Sequence, residues 1–296
     1  YDVVILHDPQ PAAMRQFAKN GDTRWVWRCH IDTSEPDIEA WLKVVTMING
    51  FDAAVFSTPE FVGPGIQTPR IDIIPPAIDP LATKNQPMSK RHATKVVSDH
   101  GVDPQQPFIT QVSRFDPWKD PLGVIESFQR LQPSHPDLQL VLLGNFATDD
   151  PEGPKIFADV CEAAKGQRNI HIITGLTDMV NPFQMLSRVV LQKSIKEGFG
   201  LTVTEALWKG TPVVAGNVGG LRLQITAGTG GFLVDSIEDC VLKVDLLLTH
   251  EKERLALGKS GKEHVRRNFL LPRLLRDELK LLKELVHGHE AGTVTT

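Results

Sequence analysis

The residues best suited to chemistry lie in KEGFGLTVTE (196–205). Two carboxylates, Glu197 and Glu205, bracket a glycine-hinged turn, Gly198-Phe199-Gly200, that runs directly into Leu201-Thr202-Val203-Thr204-Glu205-Ala206-Leu207. The latter pattern predicts a helix. Glycines ahead of a helix let backbone come close to a ligand, and the first free amides, at about Gly200 to Thr202, point outward with the positive end of the helix dipole behind them. Such a terminus suits an anion, and phosphate is the usual one. Both carboxylates cannot serve that anion, so they suit neutral hydroxyls around it. A phosphate with hydroxyls on both sides describes a sugar nucleotide. Helices place Glu at this spacing routinely, so Glu205 taken alone also fits a solvated helix position.

Three further constellations follow predicted strands, where ligands of parallel α/β sheets bind. In Ser113-Arg114-Phe115-Asp116-Pro117-Trp118-Lys119, Arg114 offers a planar fork and Lys119 a point charge, and the two could reach one anion together. The alternative is a surface Arg114 pairing with Asp116 or Asp120. His7-Asp8-Pro9-Gln10 follows the first strand and Trp27-Arg28-Cys29-His30-Ile31-Asp32 the second. His30 with Asp32 could bind or orient a sugar hydroxyl, against the alternative of a satisfied structural histidine. No third and fourth ligand is spaced to close a metal site there. Val218-Gly219-Gly220 permits close approach to a ligand or makes a turn. The absence of GxxxxGK[ST] and GxSxG removes the main support for an ATPase or a serine hydrolase.

The elements that must position these groups form an alternating pattern. Strands are expected at 3–6, 25–28, 53–56 and 71–74, then at 108–113, 138–144, 169–174, 188–192, 212–216 and 231–234. Helices are expected between them, clearest over 36–48, 119–131, 201–209 and 236–249, with a charged, Leu-rich helical tail over 251–287. This is the signature of parallel sheets with helices on both faces. The Pro-rich stretch IIPPAIDPLATKNQPMSK (73–90) reads as a linker or surface excursion, and 287–296 as a frayed or vector-derived end. The chain is 296 residues long, enough for two domains, and a net charge of −4 gives no footprint for nucleic acid or an anionic membrane. No apolar run approaches the length of a membrane span, and YDVVILHD has neither a basic region nor a cleavage site of a signal peptide. Three well-separated cysteines, Cys29, Cys161 and Cys240, argue against a disulfide framework and for a reducing compartment, hence a cytoplasmic location.

Together these residues resemble the retaining glycosyltransferases of the GT-B fold, in particular glycosyltransferase family 4, whose E-x7-E segment corresponds to Glu197–Glu205 and whose strand-end Arg…Lys pair corresponds to Arg114 and Lys119. The strings HDPQPA (7–12), WRCHID (27–32), PPAIDPL (75–81), TQVSRFDPWK (110–119), DDPEG (149–153) and EGFGLTVTEALWKG (197–210) are similar to its trehalose-forming, glycosyltransferring members. The resemblance implies an α/β chain of two Rossmann-like domains facing across a cleft. These are a partial acceptor-side domain at 1–80, a nucleotide-sugar domain at 81–270, and a crossover helix and tail at 271–296 that braces the first domain. The first domain is expected to be truncated, with about 100 residues ahead of Tyr1.

The implied reaction moves glucose from UDP-glucose or ADP-glucose to free glucose, reversibly, giving α,α-trehalose with retention. By the same resemblance Arg114 and Lys119 neutralise the leaving diphosphate, assisted by Gly198, Phe199, Gly200, Leu201 and Thr202. Glu197 holds donor hydroxyls and Glu205 the ribose. His30 contacts the reacting sugar, and His7, Asp8 and Asp32 line the acceptor side. Glu197 and Glu205, on a loop followed by a helix, are not expected to form the close carboxylate pair of a retaining glycosidase. Front-side attack assisted by the leaving phosphate is preferred. No cofactor is required, Mg²⁺ is compatible with the diphosphate, and a homodimer is allowed. A trehalose phosphorylase, or a nucleotide-sugar-binding chain without turnover, are the alternatives. Glu197 and Arg114 are both expected in a wet cleft.

Overall fold

The computed structural model of the chain describes residues 1–19, 21–145, 151–175 and 179–287. Asp149 and Asp150 of the DDPEG string, and the end segment 288–296, lie outside them. The chain divides into two compact units, one made of Tyr1–Ala77 with the chain from Leu271 onward, the other of Ile78–Leu270.

In the first unit, β1 (Val3–His7), α1 (Met14–Phe17), β2 (Arg24–Arg28), α2 (Ile38–Ile48), β3 (Ala53–Phe56) and β4 (Ile71–Ile73) follow in order. The four strands pair in parallel in the sequence order β1-β2-β3-β4. Successive strand residues face opposite sides. Trp27, Ala54 and Phe56 pack with Trp41, Val45 and Ile48 of α2, while Val26, Ala53 and Val55 pack on the other face with Ile74. Asp37 starts α2 by accepting the amide of Ala40 at 2.9 Å, which satisfies one of the unpaired first-turn donors.

The second unit contains α3 (Lys90–Asp99), β5 (Phe108–Val112), α4 (Pro121–Leu131), β6 (Gln139–Gly144), α5 (Gly153–Ala163), β7 (Ile170–Thr174), α6 (Val180–Leu186), β8 (Val189–Gln192), α7 (Leu201–Lys209), β9 (Val213–Gly216), α8 (Leu221–Gln224), β10 (Gly231–Val234), α9 (Ile237–Thr249) and α10 (Glu251–Asn268). Its six strands are all parallel in the order β10-β9-β8-β5-β6-β7. Strands buried on both faces need apolar residues on both, and they have them. Ile109, Leu140, Leu142 and Leu191 pack under α4 and α9, while Val190, Val213 and Ala215 pack under α7 and α10.

The chain then returns to the first unit in α11 (Leu271–His287), which covers the open face of its sheet with Leu281. Arg70 binds Glu284 at 2.6 Å, and Arg273 donates to the carbonyls of Pro75 and Pro76 at 2.7 and 2.9 Å. No described helix is long and apolar enough to cross a membrane.

One expectation needs correction, and two gain detail. The helix expected over 119–131 is a 3-10 turn at Pro117–Lys119 followed by α4, because Asp120 sits at φ 47° between them and caps α4 by accepting from Gly123. The tail over 251–287 is helical as expected, with the crossover helix beginning at Leu271 after a break at Phe269–Leu270, where Pro272 at its second position cannot continue α10. The Pro-rich stretch carries the division between the units at Ala77–Ile78, as a linker would, but it is anchored. Ile78 lies in the core with Phe199 and Val265, and Asn85 is buried.

Candidate functional site

Strand order reverses in the second unit where β5 lies beside β8, with β6 and β7 on one side and β9 and β10 on the other. Crossovers leaving these two strands go to opposite faces, so a crevice opens between the loops that follow them. Those loops are residues 113–120, with Arg114 and Lys119, and 193–200, with Glu197 and the glycine turn. They are tied together. The amide of Ile195 donates to the carbonyl of Trp118 at 2.8 Å, Gln111 reaches back to the carbonyl of Lys119 at 2.7 Å, and Lys193 pairs with Asp120.

Lys119 and Glu197 meet across these loops, Nζ to Oε2 at 2.7 Å. The same oxygen accepts from Ser194 Oγ at 3.0 Å and Gln192 Nε2 at 3.2 Å. Glu197 is 9% exposed, so the wet position expected for it is wrong. A carboxylate withdrawn from water needs an opposite charge and hydrogen-bond donors, and this one has both. Arg114 does stand in solvent, 53% exposed, and bonds Asp116 at 3.2 Å.

The turn into α7 has Gly200 at φ 81°, a left-handed conformation that ordinary side chains resist. No side chain caps α7, and the amides of Leu201 and Thr202 have no acceptor within the helix. The turn is held from behind. Gln224 Nε2 donates to the carbonyls of Phe199 and Gly200 at 2.5 and 3.3 Å, and Thr204 supports Gln224 at 2.6 Å. The Val218-Gly219-Gly220 turn serves this same loop, because a Cβ on Gly220 would lie 2.6 Å from both the Gly198 carbonyl oxygen and the Phe199 Cα. Glu205 is not the solvated helix residue its spacing allowed. It is 2% exposed and pairs with Lys84 at 2.6 Å.

The first unit gathers His7, Asp8 and His30 at the ends of β1 and β2. His7 Nδ1 and His30 Nε2 lie 2.7 Å apart, with their rings stacked at 5.0 Å. Asp8 Oδ1 accepts the His30 amide at 2.8 Å, although Asp8 sits at φ 65°. A strained non-glycine residue at a strand end persists only where its surroundings fix it, here with Trp27 donating to its carbonyl at 2.9 Å. Burial, then the charge of Arg28, holds the His30 imidazole below its ordinary value, against the opposing pull of Asp8. Asp32 bonds the amide and hydroxyl of Ser34, closing its own turn, and has no bond to His30.

Residues passed over in the sequence include Gln192 and Ser194, whose strand-end position was the available signal, and Lys84, which lies in the stretch taken for a linker. Among the described residues no three His, Cys, Asp or Glu side chains come together as a metal-holding group.

Comparison with known proteins agrees with this architecture. Residues 94–264 match the model for glycosyl transferases group 1, and residues 1–63 match that for the trehalose synthase N-terminal domain. The chain is 48% identical to the trehalose synthase of Rubrobacter xylanophilus, over 97% of this chain and 70% of that one. It is 41% identical to the trehalose synthase of Thermococcus litoralis, over 95% and 69%. Among solved structures, Anabaena Alr3699/HepE in complex with UDP-glucose superposes with a TM-score of 0.83 at 17% identity, covering 96% of this chain and 79% of that one. The fold is GT-B, built of two Rossmann-like units, and the activity is trehalose-related glycosyl transfer. From both family matches and the extent of the identity, the chain belongs to the trehalose synthases of the group 1 glycosyl transferases.

Proposed function

We propose that the chain transfers glucose from UDP-glucose or ADP-glucose to free glucose, with retention at the donor carbon, forming α,α-trehalose in a reversible reaction. The observation that carries this reading is the meeting of Lys119, Glu197 and the uncapped start of α7 at one switch point. A departing diphosphate needs fixed positive charge where its own negative charge grows, and preorganised cations and amides supply it without reorganisation. Lys119 has three ammonium hydrogens and directs one at Glu197, so it can hold a phosphate oxygen at the same time. Arg114 adds its fork from the solvent side, and Gly198 to Thr202 line the diphosphate.

The bonds of Glu197 to Lys119, Gln192 and Ser194 all use Oε2, which leaves Oε1 for a hydroxyl of the donor sugar. Glu205 takes ribose hydroxyls. His30, with His7, Asp8 and Asp32, binds hydroxyls of the reacting and acceptor sugars. The UDP-glucose bound by the Anabaena protein supports the donor class. In the reaction the bond from the donor carbon to the phosphate oxygen breaks, the acceptor hydroxyl attacks the same face, and its proton passes to the departing phosphate. Neither glutamate is the nucleophile, in keeping with their separate ion pairs. The reaction so described requires no cofactor, and Mg²⁺ is compatible with the substrate's diphosphate.

The test is incubation with UDP-glucose or ADP-glucose and glucose, followed by NMR. Nucleoside diphosphate is expected to appear in step with α,α-trehalose. Phosphate-dependent release of glucose 1-phosphate from trehalose, with no response to a nucleoside diphosphate, would make the chain a phosphorylase. Calorimetric binding of UDP without turnover would make it a nucleotide-sugar-binding chain.

A further inference from the structure

Glu205 lies on α7 with 2% of its surface exposed, and its ion-pair partner among the described residues is Lys84, Nζ to Oε1 at 2.6 Å. Lys84 does not belong to any strand-end loop of the site. It sits in the short 3-10 turn Thr83–Asn85 that follows the Pro-rich stretch, and its side chain is 44% exposed. An exposed lysine ordinarily loses too much rotamer freedom for one ion pair to be worth much. Here the backbone beneath it is fixed on both sides. Asn181 Nδ2 donates to the carbonyls of Thr83 and Gln86 at 3.2 and 2.9 Å, and Asn85 Nδ2 to that of Asp79 at 2.9 Å. From α7 itself, Trp208 Nε1 donates to the carbonyl of Asn85 at 3.1 Å and Lys209 Nζ to its side-chain oxygen at 3.3 Å. The turn is a strap bound to the helix that carries Glu205, and it delivers one ammonium to one carboxylate oxygen.

A buried carboxylate is useful as a hydroxyl acceptor only while it is ionised and held still. Removing its ion-pair partner would leave the buried charge with only the more distant Lys209 ammonium to offset it. An ionised carboxylate accepts on both oxygens, about four lone-pair directions in all, so a cation on Oε1 leaves acceptor capacity for two neighbouring hydroxyls. The cis-diol of a ribose presents such a pair. We propose that Lys84 is a positioning residue for nucleoside recognition: through its ion pair with Glu205 it sets the carboxylate that reads the ribose hydroxyls of the donor. This rests on the assignment of Glu205 to the ribose made above, and it adds the strap residue on which that assignment depends.

The experiment is calorimetric titration of the full chain with UDP and ADP, and with their 2′-deoxy and 3′-deoxy forms, for wild type, Lys84→Met, Lys84→Arg and Glu205→Gln. Wild type is expected to prefer the ribonucleotides about ten- to hundredfold, the range for hydrogen bonds to a charged group. Lys84→Met is expected to erase most of that preference while binding the deoxy forms nearly as wild type does, and Lys84→Arg to restore it in part. The Lys84→Met/Glu205→Gln double variant is expected to match the worse single variant. A strap with a merely structural role would weaken ribo and deoxy forms equally, and that result would overturn the proposal. So would a wild type that binds both forms alike. If wild type binds no nucleoside diphosphate at all, the donor assignment itself fails. If it binds and discriminates but Lys84→Met still discriminates, the role of Lys84 alone is refuted.

Discussion

Replacing Glu197 by Gln and Lys119 by Met, singly and together, probes the pair at the centre of the site. Glu197 Oε2 accepts from Lys119 at 2.7 Å, Ser194 at 3.0 Å and Gln192 at 3.2 Å. Glu197→Gln keeps an oxygen for all three donors, so the hydrogen bonds survive at neutral strength. What is lost is the counter-charge of an ammonium whose side chain is 16% exposed. That costs about 2 kcal/mol, since charge-assisted bonds are roughly twice as strong as neutral ones and the ammonium is left short of compensation. Lys119→Met leaves a buried carboxylate with two neutral donors, a loss of about 3 kcal/mol, at the low end for breaking a buried pair. The double variant carries neither charge and keeps a neutral amide facing the same two neutral donors, so it is expected about 2 kcal/mol below wild type. The coupling energy is then about 3 kcal/mol. Urea unfolding followed by tryptophan fluorescence measures all four corners of the cycle. Additivity within about 0.5 kcal/mol would mean that the pair does not form, and the argument for a preorganised Lys119 would fail with it.

Other perturbations give contrasting outcomes. Arg114→Ala removes a mostly exposed side chain paired with Asp116, so unfolding is expected to shift by no more than about 1 kcal/mol. In contrast, kcat falls roughly a hundredfold in a steady-state assay, the usual loss for one charge-stabilising donor. Gly200→Ala places a Cβ 2.7 Å from Leu221 Cδ2 at φ 81° and should cost about 2 kcal/mol in the same urea assay. Burial pushes the Lys209 ammonium down from 10.5 to about 8, against the opposing pull of Glu205. Between those values the unfolded chain holds a proton that the folded chain has released, so the contribution of Lys209 to stability rises with pH by about 3 kcal/mol across that window. Below it the folded chain carries the whole penalty of a buried charge. Urea midpoints from pH 7 to 10.5 in wild type and Lys209→Met check the sign: the difference between them moves in favour of wild type as pH rises, over the fall above pH 9 that the buried Cys29 and Cys240 thiols, both pushed up, impose on each.

Much of the architecture was legible because parallel strands buried on both faces leave continuous apolar runs, and each of the ten expected strands has a counterpart. The switch point was not legible, since strand order depends on which crossovers go to which face. Strand-end position nevertheless brought out Arg114, Lys119 and Glu197, which share the two loops at β5 and β8. The pairing of Glu205 was hidden for a physical reason. Its partner Lys84 is 121 positions away in sequence, in a stretch whose prolines suggest a loose connection. That stretch is fixed by side chains, Asn85, Asn181 and Trp208, that have no periodic signature. The burial of Glu197 was equally invisible, because Gln192 and Ser194 look like ordinary loop residues until β8 places them beneath it. The bond between His7 and His30 joins two strand ends and follows once β1 and β2 pair in register, His7 opposite Arg28.

The most direct test of the account is a crystal structure of the protein with UDP-glucose or ADP-glucose bound. The account predicts phosphate oxygens about 2.7–3.2 Å from Lys119 Nζ, the Arg114 guanidinium and an amide at the start of α7, with Glu197 Oε1 on a hydroxyl of the glucose. A diphosphate bound elsewhere, or one at this crevice with Lys119 and the α7 amides beyond hydrogen-bond reach, would contradict it.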